Sequence, residues 1–277
     1  MLKVKPADGY PPEEGRYVRG NDFSPLAVCV ILDTFDFKIP LEITELIMAG
    51  VDSGAALSGT LQTENVGMEK MICNIVANPN IRYIVLCGRE SSGHLPGESL
   101  LALKQNGVDG NNQIIGTRAP TPYLYNIPRD VVERFNRQIV TEVNLLCKPG
   151  ERDLTAPGLN PEVIEKAIWS CYQEEPTEFM SYRLHDVGAY PEPPIHHKIV
   201  WRVSQPGKLA GVSEKPRIGP VALYKLLPRT NCKKCGLPTC FAFAFSLSQG
   251  KIGLEDCPGL SLPEFAEDRQ ALTRLLE

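Results

Sequence analysis

Four of the nine cysteines in this chain fall within one short segment, RTNCKKCGLPTCFAFAFSLSQGKIGLEDCPG, which spans residues 229–259. Cys232, Cys235, Cys240 and Cys257 follow the spacing C-x2-C-x4-C-x16-C. A C-x2-C pair lets two thiolates face one metal centre across a tight turn, and a cysteine in the first turn of a helix lies near the positive end of the helix dipole. The segment therefore predicts a metal centre that carries negative charge.

The spacing leaves two kinds of metal centre open, an iron–sulfur cluster and structural zinc. Structural zinc usually has two C-x2-4-C knuckles, and this segment has one. The ending Cys257-Pro258 is common in ferredoxin-type iron–sulfur runs, so the pattern favours a four-cysteine cluster. We expect the phenylalanines that follow the third cysteine to form core that shields the cluster: Phe241, Phe243 and Phe245.

The composition is that of an ordinary globular protein. The 277 residues are 43% hydrophobic and 22% charged with a net charge of −4, so charge gives no argument for nucleic acid or an anionic membrane as a partner. No apolar run reaches the roughly 18–20 residues of a membrane span, and the N-terminus lacks the apolar core of a signal peptide. The other cysteines are scattered singly, which predicts a reducing cytoplasmic location rather than a disulfide framework: Cys29, Cys73, Cys87, Cys147 and Cys171.

Short apolar runs alternate with helical patterns over residues 1–173, which predicts a doubly wound, Rossmann-like α/β domain. Buried strands are predicted at 26–32 and 81–88, a third strand at 112–117, and helices at 67–79, 96–107 and 128–146. The last helix has a single apolar stripe, formed by Val132, Phe135, Ile139, Val143 and Leu146.

The composition changes beyond residue 173. Residues 174–219 are dense in proline and glycine, which predicts a linker with room for a hairpin and one strand-like run at 199–203. Residues 220–277 predict a small, mainly helical domain with three helices around the clustered cysteines.

The cysteine segment resembles the iron–sulfur domain of the large subunit of the corrinoid/iron–sulfur protein of the acetyl-CoA pathway. LYKLLPRTNCKKCGLPTCFAFAFSLSQGKIGLEDCP meets every fixed position of that family's pattern, CxxCGxxTCxxFAxxLxxGxxxxxxCP. The resemblance implies a [4Fe–4S] cluster ligated by Cys232, Cys235, Cys240 and Cys257. In that family the cluster feeds single electrons to a corrinoid cobalt.

A corrinoid would need its own site in the α/β domain. The usual corrinoid signature, D-x-H-x-x-G, puts a histidine below the cobalt in a loop after a strand. Here Ser92-x-His94-x-x-Gly97 has serine where aspartate is expected, and it follows a predicted strand, at the edge where open α/β sheets bind ligands. His185 also begins an H-x-x-G fragment, so the fragment alone does not decide between the two histidines.

Longer stretches resemble MtrA, the corrinoid-carrying component of the tetrahydromethanopterin S-methyltransferase of methanogens. They include AGVDSGAALSGTLQTENVGMEKMICNIVANPNIRYIVLCG, GHLPGESLLALKQNGVD and IGTRAPTPYLYNI, within residues 10–147. The resemblance implies that His94 ligates the cobalt of a cobalamin or other cobamide from below. It also implies a pocket for that cofactor lined by Gly59, Thr60, Leu61, Gln62, Thr63, Glu64, Asn65, Gly88, Ser92, Gly93, His94, Leu95, Pro96, Gly97, Gly116, Thr117, Arg118, Ala119 and Pro120.

Together the two resemblances predict a methyl carrier. Cobalt(I) would accept a methyl group from a methyl-tetrahydropterin or methyl-folate, and the cluster would supply the electron that rescues oxidised cobalt. The expected partners are methyltransferase proteins that load and unload the methyl group, and an electron donor such as a ferredoxin. The methanogen family ends in a membrane-anchoring helix, and we expect the cysteine segment to stand in the place of that helix in this chain.

Two other functions stay open. A ferredoxin-like electron carrier would bind a flavin or a nicotinamide in its α/β domain, but no G-x-G-x-x-G follows either of the first two buried strands. A zinc-stapled interaction module would have no redox role, and the colour of the bound metal would distinguish it.

Overall fold

The computed structural model describes residues 2–34, 38–199, 220–248 and 251–276. Contacts divide the chain into two compact units, Met1–Val200 and Trp201–Glu277. The first unit is an α/β domain and the second is mainly helical, which confirms the predicted fold class.

A five-stranded sheet forms the centre of the first unit. Its strands are β1 (Tyr17–Arg19), β2 (Leu26–Ile31), β3 (Leu57–Leu61), β4 (Tyr83–Gly88) and β5 (Thr141–Asn144). Their order in the sheet is β1-β3-β2-β4-β5, with β1 antiparallel to β3 and the other neighbours parallel. Every residue of β2 and β4 is buried, because both strands lie inside the sheet and helices cover both faces.

Helices cover the two faces of this sheet: α1 (Leu41–Asp52), α2 (Val66–Val76), α3 (Pro96–Asn106), α4 (Arg129–Gln138) and α5 (Pro161–Cys171). Successive residues of β2 point to opposite faces. Cys29 and Ile31 pack in one apolar cluster with α2, α3 and α4. Val28 and Val30 pack in a second cluster with α1 and α5.

The strand order reverses between β2 and β4. The chain passes from β2 through α1 to β3 on one side, and then returns through α2 to β4 on the other side. Connections that diverge at the carboxyl ends of two such strands leave a crevice, which is where open α/β sheets bind their ligands. The loop after β4, residues 89–95, therefore lies where a ligand site is expected.

The strand predicted at 112–117 is wrong. Gln113 and Ile114 make isolated bridges with Tyr123 and Val108 and do not join the sheet. Ile114 is buried, which explains the apolar pattern, but Asn112 has a φ of 58°. A left-handed residue of this kind interrupts an extended strand.

The helix predicted at 128–146 is too long, since α4 ends at Gln138 and β5 follows it. Val143 fits both an apolar helical stripe and a strand pattern. The β-branched residues Val140, Thr141 and Val143 favour the strand, which pairs with β4.

Residues 174–199, predicted to belong to a linker, are part of the first unit. Their first part forms a hairpin of β6 (Thr177–Phe179) and β7 (Tyr182–Leu184). Their last residue, Ile199, is buried in the core. The unit therefore extends well past residue 173, and the remainder of the predicted linker lies outside the described residues.

The strap, residues 188–199, is held by aromatic and charged contacts. The guanidinium carbons of Arg82 and Arg134 lie 5.4 and 4.3 Å from the ring centroid of Tyr190. Such cation–π contacts hold the strap on the helices and strands of the first unit, and they join residues that are far apart in the sequence.

The second unit contains α6 (Pro220–Lys225), α7 (Cys240–Ser248) and α8 (Ala266–Leu276), with short 3-10 turns between α7 and α8. Its core includes Phe243 and Leu272, together with Cys240 and Cys257. A core of this size rarely stabilises a domain alone, so a bound metal centre would contribute to the stability of this unit.

Replacing Arg134 by methionine should loosen the strap. Arg134 is 1% exposed, donates to the carbonyl of Pro193 at 3.0 Å and lies 3.3 Å from the carboxylate of Glu192. Methionine keeps the apolar stem but loses these bonds, so the free energy of unfolding in urea should fall by about 2–3 kcal/mol. Arg137→Met is the control, because exposed Arg137 lies 3.9 Å from the same carboxylate. Equal losses in both variants would contradict this account of the strap.

Candidate corrinoid and iron–sulfur sites

His94 lies in the loop that follows β4, next to the point where the strand order reverses. Gly88 ends the strand with a φ of 87°, and a Cβ there would lie 2.3 Å from the carbonyl oxygen of Ile31, so the position requires glycine. Leu95 has a left-handed φ of 47°, and α3 begins at Pro96. The side chain of His94 is 34% exposed, so this loop presents the imidazole at the carboxyl edge of the sheet.

A buried carboxylate holds the ring of His94. Oε2 of Glu64 lies 2.8 Å from Nδ1 of His94, and Glu64 is fully buried. Oε1 of the same carboxylate accepts hydrogen bonds from the backbone N–H and the hydroxyl of Thr121, at 3.0 and 2.7 Å. The corrinoid signature D-x-H-x-x-G predicts the acidic partner of His94 at position 92, where this chain has serine. The acidic partner is instead Glu64, which lies in the loop after β3.

Glu64 stays ionised although it is buried. Burial raises its pKa, but the hydrogen bonds from Thr121 and His94 outweigh burial and hold the pKa below its usual value. A carboxylate on Nδ1 of a histidine fixes the tautomer and the orientation of the ring. Nε2 is therefore the nitrogen through which His94 would bind a metal.

The loop that carries His94 is tied to the start of α3. The carboxylate of Glu90 accepts hydrogen bonds from the backbone N–H groups of Ser91 at 2.9 Å, Gly97 at 3.3 Å and Glu98 at 2.6 Å. A Cβ at Gly97 would lie 2.4 Å from Cδ2 of Leu146 and 2.9 Å from Oε2 of Glu90, so a larger residue would have to displace these side chains. The Gly97 of the sequence pattern is thus explained by packing.

A cavity of about 260 Å³ lies beneath α2, against β1, β2 and β3. Its walls include apolar side chains such as Leu57, Met71 and Ile84, and polar groups of Gln62 and Lys70. Part of the predicted pocket lines this cavity, namely Gly59, Thr60, Leu61, Gln62 and Thr63. Gly59 has a further reason to be glycine, because a Cβ there would lie 2.4 Å from Cβ of Tyr17 in β1.

Ser92 and Gly93 are exposed beside His94, and Pro120 is exposed near Thr121. Asn65 caps the start of α2, with its side chain accepting from the backbone N–H of Val66 at 2.7 Å. The contribution of these residues to a corrinoid pocket stays a prediction.

Residues 116–119 pack against α3 rather than along the cavity. A Cβ at Gly116 would lie 2.6 Å from Nδ2 of Asn106, and Ala119 is buried. The backbone N–H of Arg118 donates to Glu98 at 2.7 Å, and the hydroxyl of Thr117 lies 3.0 Å from that of Ser99. Their contacts with a cofactor likewise stay a prediction.

His185 lies elsewhere in the first unit. It follows β7, and its backbone hydrogen-bonds to the side chain of Tyr83, the first residue of β4. Arg82, just before β4, donates to the carbonyl of Gly188 at 3.1 Å. The H-x-x-G fragment at 185–188 therefore lies near the amino end of β4, whereas His94 follows its carboxyl end.

The four cysteines of the second unit line a single cavity. Cys232 and Cys235 lie in the loop before α7, Cys240 begins α7, and Cys257 follows a 3-10 turn. The side chain of Asn231 accepts from the backbone N–H of Cys240 at 2.8 Å, which fixes the start of the helix against the loop.

The loop before α7 contains several residues with left-handed backbone. Arg229, Asn231, Lys233 and Gly236 have φ values of 55°, 50°, 60° and 79°. Left-handed residues that alternate with right-handed ones turn successive N–H groups into one concavity, an arrangement found at phosphate and iron–sulfur sites.

The thiols also interact electrostatically. Hydrogen bonds from the backbone of Lys234 and the hydroxyl of Thr230 lower the pKa of Cys232. Burial raises the pKa of Cys257, and the nearby Cys235 and Cys240 add to this effect. Iron ions bound between these thiolates would offset the repulsion between them.

Within the described ranges, no three His, Cys, Asp or Glu side chains are arranged so that they could hold a single metal ion. The expectation for the phenylalanines is wrong in part. Phe243 is buried, but Phe241 and Phe245 are 45% and 50% exposed. Residues four apart share one face of a helix, so these two lie together on the solvent side of α7.

The fold and the two sites define a class of protein, in which an α/β domain with a carboxylate-held histidine at the reversal of its sheet precedes a small four-cysteine domain. Known families agree with this description. The family model for MtrA, a component of tetrahydromethanopterin S-methyltransferase, matches residues 3–166, and one described as "Putative Fe-S cluster" matches residues 227–258. The chain belongs to the MtrA family.

Curated relatives carry the name of the same component of that methyltransferase. One from Methanothermobacter marburgensis is 38% identical over 178 residues, which cover 64% of this chain and 66% of the relative, slightly less than two thirds of its length. One from Methanocaldococcus jannaschii is 33% identical over 240 residues, which cover 86% of this chain and 84% of the relative. One from Methanococcus maripaludis is 40% identical over 174 residues, covering 63% and 64%. None of the helices within the described residues has the length and apolar character to cross a membrane.

Replacing Glu64 by glutamine should destabilise the first unit at neutral pH. The amide keeps the shape but presents an N–H2 group to donors, so the free energy of unfolding should fall by about 1–3 kcal/mol. The pKa of Glu64 is lower in the folded chain than its unfolded value of about 4.3. The stabilisation is therefore present above the unfolded pKa and is lost as pH falls through the folded pKa.

Urea denaturation of both proteins across this pH range measures the effect. Glu45→Gln is the control, because Glu45 is exposed on α1 and should change stability little. The wild type should exceed the Glu64 variant in free energy of unfolding by a margin that shrinks as the solution becomes more acidic. A margin that grows instead would contradict an ionised Glu64.

Proposed function

We propose that this protein is a corrinoid methyl carrier with an iron–sulfur cluster that keeps the carrier in its reduced state. The observation that carries the proposal is the pair of His94 and Glu64 at the carboxyl edge of the sheet. Carboxylate–histidine pairs of this kind commonly support metal-ligating imidazoles. The match to a methyltransferase family over residues 3–166 supports the same function.

His94 would bind cobalt through Nε2. A ring that donates its Nδ1–H to the carboxylate of Glu64 would have its lone pair on Nε2. When bound, the corrinoid would supply a cobalt(I) nucleophile that accepts a methyl group and yields it to an acceptor. The loop that Glu90 ties to α3 would hold the imidazole in place during this exchange.

We assign the cavity beneath α2 to the nucleotide portion of a cobamide. Cys29, Leu57 and Ile84 make part of its wall apolar, as is usual for a site that binds an organic cofactor. Gln62 and Lys70 could donate hydrogen bonds to amide and phosphate oxygens.

Cys232, Cys235, Cys240 and Cys257 would hold a [4Fe–4S] cluster. They line one cavity, the loop that carries two of them contains several left-handed residues, and their segment matches an iron–sulfur family model. Such a cluster transfers single electrons, and N–H groups near its sulfurs stabilise the negative charge. The cluster would return cobalt to its reduced state after an accidental oxidation.

The names of the relatives support a pterin as the carrier of the methyl group. Each of the three is named as one component of tetrahydromethanopterin S-methyltransferase. For this chain we infer a methylated tetrahydropterin or folate as the donor, methyltransferase proteins that load and unload the methyl group, and an electron donor such as a ferredoxin.

Removing His94 should change corrinoid binding, because the lower ligand of the cobalt is lost. After reconstitution with hydroxocobalamin and gel filtration, His94→Ala should retain about tenfold less corrinoid at limiting concentration than the wild type, as judged by visible absorbance. His185→Ala is the matched control and should bind like the wild type. Loss of corrinoid in the His185 variant alone would overturn the assignment.

Removing a cluster ligand should leave corrinoid binding intact and stop electron delivery. Cys232→Ala is the most suitable variant, because Cys232 is exposed and its loss disturbs the core least. The rate of cobalt(II) reduction by a reduced ferredoxin should fall to the level of a chain without iron. Undiminished reduction in a variant that holds no cluster would contradict the proposed role.

A further inference from the structure

We propose that a basic side of the second unit is the docking surface for an acidic protein that delivers single electrons, a donor of the ferredoxin class. The inference rests on the proposed function, because it names the place where electrons enter the cluster that the four cysteines would hold. The basic side consists of four exposed residues in and next to the cysteine loop: Lys225, Arg229, Lys233 and Lys234.

Charge in the second unit is segregated along the sequence. Residues 220–253 contain five lysine or arginine residues and neither aspartate nor glutamate, whereas residues 254–277 contain six acidic and two basic residues. The whole chain has a net charge of −4, so the positive charge around the cysteine loop is a local feature. A local patch of one sign attracts and orients partners of the opposite sign. The expected partner is therefore acidic.

One cysteine reaches the surface within this basic side. Cys232 is exposed, whereas Cys240 and Cys257 are buried. Hydrogen bonds from the backbone of Lys234 and the hydroxyl of Thr230 lower the pKa of Cys232, and the charge of Lys234 adds to this effect. A cluster bound here would therefore come closest to solvent beside Lys233 and Lys234, where an external donor can approach it.

An exposed aromatic surface adjoins the basic side. Phe241 directly follows Cys240 and is 45% exposed, and Phe245 is exposed one turn further along α7. The ring of Tyr224, which precedes Lys225, packs edge-on against Phe241 with 5.5 Å between the centroids. Aromatic side chains next to a charged rim are typical of surfaces that bind proteins.

The first test is the binding of an oxidised, acidic two-cluster bacterial ferredoxin to the full chain, measured by calorimetry at low ionic strength. Lys233→Gln combined with Lys234→Gln should raise the Kd about tenfold. Arg269→Gln combined with Arg274→Gln is the matched control, because it removes the same charge from exposed positions on α8, and its Kd should stay within about twofold of the wild type. The difference should shrink as salt rises to about 0.5 M, because dissolved ions screen surface charges.

The second readout is the rate at which the same ferredoxin, once reduced, transfers one electron to the oxidised cluster. This rate should fall about tenfold in the double lysine variant and stay within about twofold of the wild type in the arginine control. Reduced methyl viologen, a small cation, should reduce the cluster of the lysine variant at least as fast as that of the wild type. An equal fall with methyl viologen would assign the effect to the cluster itself and overturn the proposal.

A wild-type Kd in the double lysine variant would also overturn the proposal. So would a chain that is dimeric in gel filtration and becomes monomeric in this variant, because the basic side would then bind a second copy of the chain. Both readouts are made without corrinoid, so they are decided separately from the methyl-carrier function. A cluster that accepts electrons from the ferredoxin but does not reduce cobalt(II) would contradict that function and leave the docking surface standing.

Discussion

The structure of the candidate site depends on one buried negative charge. Transferring a carboxylate from water into a protein interior costs several kcal/mol unless hydrogen bonds compensate for it. Glu64 is fully buried, and Thr121 and His94 supply donors to its two oxygens. The loops after β3 and β4 and the segment around Thr121 must therefore meet at one point. Displacement of any of the three leaves the carboxylate short of a partner, so the same interaction that holds the imidazole also restrains its surroundings.

The parallel sheet makes this meeting possible. β3 and β4 both pair with β2, so their carboxyl ends reach the same edge, and the loops that carry Glu64 and His94 lie on the two sides of the strand reversal. Glu90 ties the His94 loop to α3, and Glu98 ties α3 to Arg118, close to Thr121. The site is thus supported by carboxylates that accept hydrogen bonds from backbone N–H groups. Three different segments between strands and helices contribute to it. In the second unit the four cysteines would also hold separate segments together. The metal centre that they would bind would add stability to a domain whose core is small.

Local patterns in the sequence predicted the parts of the fold that depend on local interactions. The buried runs of β2 and β4 and the cysteine spacing needed no knowledge of distant contacts. The partner of His94 was not predictable in this way, because Glu64 lies thirty positions earlier and meets His94 only through the strand order. The strap was missed for a related reason, since its proline content is typical of a linker while Tyr190 is held by arginines far away in the chain. The end of α4 was missed because Val143 suits both a helical stripe and a strand.

The most direct test of the account is the EPR spectrum of the cobalt(II) form of the full chain reconstituted with corrinoid. Chains are prepared with ordinary histidine and with histidine labelled with heavy nitrogen. Ligation by His94 predicts nitrogen splittings that change with the label and disappear in His94→Ala. Splittings that do not change with the label would show that the nitrogen below the cobalt belongs to the cofactor's own base. The assignment of His94, supported by Glu64, as the cobalt ligand would then be wrong.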